Sequence, residues 1–328
     1  MKKITLLFAV SMLLFSCAPK EKRLTLVDSN GLMNQVLVVM DYDSWKGVEG
    51  QAVKNVINER VVGLPQKEPH LDAIQIPTNA FKNLFLSQKS ILHVSIGDKN
   101  EFTVRTDVYA RPQKIITITA TDSESLIKEI NNRKDEILTT FRDFDIKATQ
   151  YRLLKKQFNT KKSATLYKLG ISMQIPSKYR MVDDTGDFLW LRQHLHEGQS
   201  MNLLIYELPI NSVEDEEGKN INSVRDTIGK KFIPGQFEGS YYITEQAFTP
   251  ITNTIEMAGL KTYETRGKWE VKNDFMAGPF LNYTLVDKVN NRLIVLEGFA
   301  YAPAVNKRNY MFEIEAVLKT LKLNPKTD

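Results

Sequence analysis

Four histidines and a single cysteine are all the imidazole and thiol chemistry that 328 residues supply. Two of the histidines close the run "FLWLRQHLH", as His194-Leu195-His196. On a strand, residues two apart share a face at about 6–7 Å, so the two rings could give two nitrogens to a metal. The spacing offers no third ligand. Trp190, Arg192, His194 and His196 are expected to form a solvent-facing row, with Leu189, Leu191 and Leu195 on the core face. Hard oxygen donors cluster in Asp183-Asp184-Thr185-Gly186-Asp187 and in Glu214-Asp215-Glu216-Glu217-Gly218. Neither run has the spacing of a calcium loop, and both are expected to be solvated turns. Glu297 differs, because "LIVLEGFA" (Leu293 to Ala300) is apolar on both faces, as a central strand would be. A carboxylate there is costly unless paired, and Lys307 or Arg308, just beyond Pro303, are the expected partners. Structural pairing is thus expected in place of acid catalysis. Neither nucleotide-binding glycine pattern occurs, nor a GxSxG, HExxH or SxxK-centred set. No catalytic residue, metal or cofactor is expected.

The cysteine itself, Cys17, stands at a different kind of site. Lys2 and Lys3 precede the apolar segment Ile4 to Phe15. That segment has the length of a signal-peptide core and falls short of the roughly 18 residues of a spanning helix. Leu14-Phe15-Ser16-Cys17 resembles the bacterial lipobox, with Leu at −3 and a small residue at −1. The motif implies diacylglycerol on the Cys17 sulfur, where a thiolate is the nucleophile, and cleavage before it. Residues 1–16 are accordingly read as a lipoprotein signal peptide and 17–30 as a tether. Two or three acyl chains anchor stably where one binds marginally. The remaining chain has no thiol, which excludes disulfides and cysteine-ligated metal and suits an oxidising envelope. No acidic cluster follows Cys17, so an outer-membrane anchor with the soluble part in the periplasm is expected.

Removing residues 1–16 takes two lysines from a formal charge of +5 and leaves +3. Nucleic-acid binders concentrate Lys and Arg on one face with interleaved aromatics. Here the densest basic stretch, Lys155-Lys156 and Lys161-Lys162, flanks an expected linker, and no nucleic-acid partner is expected.

Periodicity then supplies the elements. Val36 to Met40 reads as a buried strand, and Trp45 to Ile57 as a helix ended by Pro65 and Pro69. Ile74 to Ile76, Ile91 to Ile96, Phe102 to Tyr109 and Ile115 to Thr119 read as strands. Thr121-Asp122-Ser123-Glu124 matches a capping box, opening one helix expected to reach about Phe158. Residues 31–160 therefore form an expected N-terminal α/β domain. Residues 161–328 form a C-terminal α+β domain, with strands at Tyr167–Pro176, Phe188–Leu195 and Met201–Leu208. A helix near Asn222–Phe232 comes next, then strands to Tyr301 with turns at Gly259 and Val289–Asn291, and a last helix over Lys307–Leu321. The fold class is α+β with two sheet-containing domains, the second an antiparallel sheet flanked by helices. The opening "GISMQIPSKYR" with a closing amphipathic helix loosely resembles the αβα sandwiches of the PsbP and Mog1 type.

Four stretches carry a further resemblance: "RGKWEV", "MAGPFLNY", "EGFAYAP" and "KRNYMFEIEAVLKTLK". They resemble an uncharacterised lipoprotein family of the Bacteroidetes, a DUF4837-like domain of unknown function. The resemblance implies an envelope address and carries no activity. Arg266, Trp269, Tyr283, Glu297 and Arg308 in these stretches are the residues expected to offer a binding surface. The expected function is that of an anchored envelope protein that binds or scaffolds a protein, glycan or lipid partner without catalysis. An envelope hydrolase using carboxylates or histidines and a carrier of an apolar ligand are the alternatives.

Overall fold

The β-branched run after Asn34 forms the inner strand β1 (Gln35–Val39), buried along nearly its whole length. The computed structural model describes residues 26–153, 155–196, 198–213, 218 and 220–324. Cys17, most of the tether and the acidic run 214–217 lie outside the described residues. Helix α1 (Val48–Ile57) crosses from β1 to the parallel strand β2 (Asp72–Ile76). Strands β3 (Ser90–Ile96), β4 (Glu101–Thr106) and β5 (Lys114–Ala120) complete a five-stranded sheet in the order β2-β1-β3-β5-β4. Only β4 runs antiparallel to its neighbour. Helices α2 (Ser123–Asn132) and α3 (Lys134–Leu153) pack with α1 on one face, through Val56, Leu126, Ile137 and Phe141. Phe81, Val108 and Phe85, the last in a 3-10 turn (Asn83–Ser87), cover the other face. Two details depart from the pattern reading. The cap is Asp122, whose carboxylate accepts the Ser125 amide at 2.8 Å, and the expected single helix breaks at Arg133 into α2 and α3.

The second half opens with a helix where a strand was expected. Ser163 caps α4 (Ala164–Leu169), and Gly170 ends it in the left-handed conformation at φ +62°. Only Ile171–Ser172 of that segment is extended in a strand. There follow β6 (Arg180–Asp184), β7 (Phe188–His194), β8 (Ser200–Pro209), α5 (Ile221–Phe232), β9 (Tyr242–Thr244) and β10 (Ile251–Met257). Last come β11 (Leu260–Val271), β12 (Ala277–Asp287), β13 (Arg292–Tyr301) and α6 (Arg308–Leu318). The sheet order is β9-β11-β12-β13-β8-β7-β6, with β10 also paired to β11, and every pairing is antiparallel. Ala258 and Gly259, both at positive φ, make the tight β10–β11 hairpin. Helices α4 and α6 cover one face through Leu166, Ile314 and Leu318, while α5 covers the other beside Phe188, Tyr242, Trp269 and Phe299. The protein is thus α+β, and this half is a helix–sheet–helix sandwich. Helix α6 also touches the first half, where Phe312 and Ala316 pack on Ile146 of α3, and the Gln150 amide donates to the Ala316 carbonyl at 2.9 Å.

Candidate functional site

The seam beside α6 holds a cleft of about 320 Å³, walled by both halves. Its chemistry centres on Glu315, which sits in the apolar stripe of α6 between Met311 and Leu318 and is nearly fully buried. The Arg142 guanidinium of α3 and the Arg266 guanidinium of β11 both donate to this carboxylate, the latter at 2.9 Å. The Lys319 ammonium lies 3.0 Å away, and the Tyr283 hydroxyl donates at 3.2 Å. Arg266 Nε also donates to Glu264 at 2.9 Å. Burial alone would raise the Glu315 carboxyl, but Arg266, Arg142 and Lys319 outweigh it and hold it well below its ordinary 4.5. Glu264 is lowered by the same balance, with Arg266 overcoming its burial. His70, on the first half's wall, is held below 6.5 by burial and then by Arg142. Arg308 stands at the cleft edge and takes Asp72 of β2 and the Pro69 carbonyl. Glu68 accepts the backbone amides of Lys307 and Arg308, at 2.7 and 3.0 Å, at the start of α6. These contacts join the halves through charge at one end of α6.

The residues expected to form one surface are instead divided between the two faces of the second sheet. Arg266 and Tyr283 face α6, whereas Trp269 and Glu297 face α5. Trp269 is 2% exposed and Tyr283 and Glu297 are 0% exposed, so none of the three offers surface. The reason is that helices cover both faces of the sheet. Glu297 is paired, as the apolar run requires, but not with Lys307 or Arg308. Its two oxygens accept Arg225 Nε at 3.0 and 2.9 Å, the Tyr242 hydroxyl at 2.8 Å and the Asn282 amide at 2.9 Å. Lys307 turns to Gln66 and its own loop. Arg225, Glu315 and Arg142 were not singled out by their types. The signal was there for two of them: each is a charge inside an apolar helical stripe, Arg225 four residues after Ile221 and Glu315 four after Met311.

The histidine pair also separates. His194 ends β7 and is exposed, while His196 lies beyond the strand in the turn that Gln199 closes. Trp190 is buried, because α5 covers the face expected to meet solvent. Among the described residues no group of three or more His, Cys, Asp or Glu is placed to hold a metal ion. In the run 183–187, Asp184 accepts the Thr165 amide and hydroxyl at the start of α4, and Asp187 pairs with Lys168.

The fold and seam define an α+β protein of two main sheets clasped by a buried charge cluster. The chain belongs to the family described as a domain of unknown function, DUF4837, whose model matches residues 157–320. A second domain of unknown function, DUF8532, matches residues 29–154. No curated protein matches the chain. Among solved structures it is similar to LpqN, involved in cell envelope biogenesis of Mycobacterium tuberculosis, at 12% identity over 47% of this chain and 83% of that one, TM-score 0.29. It is similar also to a Bacteroides thetaiotaomicron protein at 9% identity, over 49% and 47%, TM-score 0.29. A third is the Saccharomyces cerevisiae Ran-binding protein Mog1p, at 8% identity over 48% and 92%, TM-score 0.32. Among the described residues no helix is long and apolar enough to cross a membrane.

Proposed function

We propose that the chain is a lipid-anchored binding protein of the cell envelope, which captures a partner in the cleft between its halves without turnover. The observation that carries the binding reading is the state of the cleft's carboxylates. A carboxylate doing general acid–base work exchanges protons near the working pH, whereas Glu315 and Glu264 are both committed to arginines and held below their ordinary range, so they serve as fixed charges. The apolar wall of Leu71, Leu138, Met311 and Phe312 beside those arginines suits holding a partner. The anchor is supported by the lone cysteine at Leu14-Phe15-Ser16-Cys17 and by the thiol-free remainder. In this reading residues 1–16 are removed, 17–30 tether the protein to the outer membrane, and 31–160 and 161–328 are two domains in the periplasm.

Two measurements test the halves of the proposal. Metabolic labelling with an alkyne fatty acid should mark the wild type and not Cys17→Ala; an unlabelled wild type removes the anchor. A photo-crosslinking residue at Val62 or Ile251, exposed residues of the cleft wall, should trap a defined partner in intact cells, identified by mass spectrometry. A probe at Tyr167, 89% exposed and not lining the cleft, is the control. The same products from all three positions would remove the cleft from the proposal.

A further inference from the structure

A second cleft, of about 250 Å³, opens on the α5 face of the second sheet, opposite Glu315. Strand pairing builds its floor. Arg192 of β7 lies beside Asn202 of β8, and Asn202 beside Phe299 of β13. One row further, His194 lies beside Ser200, and Ser200 beside Tyr301. Trp269 stands opposite Gly278 of β12. A Cβ there would come within 2.1 Å of the Ala300 carbonyl oxygen and 3.0 Å of the indole nitrogen. Glycine therefore lets the indole lie across the strands and donate to the Ala300 carbonyl at 3.3 Å. The chain leaving α5, Ile233 to Gln236, closes the far side.

The cleft's charge is unbalanced. Arg142, Arg225, Arg266, Arg292 and Arg308 each pair with a carboxylate. Arg192 does not. Its Nε donates to Asn202 Oδ1 at 3.0 Å, an oxygen that also accepts Trp190 Nε1 at 3.0 Å. Its guanidinium stacks 4.7 Å over the Trp190 ring. Those contacts orient the fork and leave its two terminal nitrogens without a partner among the described residues. None of the described residues lining the cleft is an acid.

We propose that this cleft binds a ring-sized anionic ligand, a sugar carrying a carboxylate or phosphate. The anion takes the Arg192 fork, and the ring lies against Tyr301, which is half-buried, above the buried Trp269. A planar fork with two free donors matches a carboxylate or phosphate. Tyr supplies an apolar face with a polar edge. Pockets for drug-sized ligands run from about 300 Å³ upward, so this cleft suits a single ring. A neutral apolar occupant would leave Arg192 desolvated with no compensation. The site lies apart from the seam and does not depend on what the seam holds.

Two of the three tryptophans line the cleft, so intrinsic fluorescence reads it directly. The purified chain is titrated with glucuronate, glucose 6-phosphate and glucose. At least one acidic sugar should give a saturable change at least about tenfold tighter than glucose, the usual weight of a charge-assisted pair. Arg192→Gln should lose that preference at an unchanged melting temperature. If Arg192→Gln alters the melt, Arg192→Lys keeps the charge, loses the fork and should still weaken the acidic sugar several-fold. Phosphatidylglycerol vesicles separate a free sugar from a lipid-borne anion, and their binding should be displaced by the acidic sugar. Equal binding of glucose, wild-type affinity in Arg192→Gln, no saturable change with any sugar, or vesicle binding that the sugars do not displace would each overturn the proposal.

Discussion

Glu297→Ala leaves Arg225 buried without its counter-charge. The carboxylate accepts four hydrogen bonds, two of them from Arg225 Nε. Arg225 is 2% exposed, and among the described residues the other acid paired with it is Asp226, at 3.7 Å. Removing one partner of a buried pair costs about 3–5 kcal/mol, and the stranded Tyr242 hydroxyl and Asn282 amide push toward the upper part of that range. A loss of about 4 kcal/mol is a large share of a total stability of about 5–15 kcal/mol. At about 2–4 °C per kcal/mol for a unit of this size, the melting temperature falls by about 8–16 °C. Circular dichroism melts and urea titration followed by tryptophan emission measure it. The double variant Arg225→Met with Glu297→Leu should recover most of the loss, because an apolar pair of similar volume often replaces a buried ion pair at little cost. A single-variant loss below about 1 kcal/mol, or a double variant worse than the single, would refute the claim that Glu297 is there to neutralise Arg225.

Glu315→Gln should cost about 2–3 kcal/mol, less than a fully buried pair because Arg142 and Lys319 are about a quarter exposed. Its folded carboxyl titrates well below 4.5, so its contribution is complete above the unfolded value and fades as pH falls through the folded one. Acid melts of wild type should therefore lose more than those of Glu315→Gln below about pH 4.5, and parallel curves would contradict the linkage. In proton NMR the His70 ring should titrate below 6.5, and Arg142→Gln should move its midpoint upward, since Arg142 is the largest charge lowering it; an unmoved midpoint would remove Arg142 from its surroundings. Gly278→Ala places a Cβ 2.1 Å from the Ala300 carbonyl oxygen and should cost about 1–3 kcal/mol with altered tryptophan emission, whereas a wild-type melt and spectrum would mean that Trp269 is not held across the strands.

Local signals read well wherever neighbours in sequence are also neighbours in space. The β-branched run after Asn34, the Gly259 hairpin and the last amphipathic helix all formed close to their expected bounds. The apolar run around Glu297 correctly implied that its carboxylate needs a partner. The misreadings have local causes too. Tyr167–Pro176 alternates like a strand, yet Ser163 and Gly170 bracket a short helix there, and those end signals outweighed the alternation. Alternation alone places Trp190 toward solvent, because it does not reveal that a helix covers the second face of a sheet.

By itself the sequence determined the class of elements, the requirement that Glu297 be neutralised, and the expectation of a thiol spent on lipid at Cys17. All three follow from residue type and near-neighbour spacing. Only the tertiary structure decided which charges meet. Arg225 reaches Glu297 across 72 positions and Arg142 reaches Glu315 across 173, because sheet order and helix packing set those distances and no short-range pattern encodes them. For the same reason Arg192, set among the aromatics of the α5 face with no acid paired to it among the described residues, became visible only when its neighbours were in place.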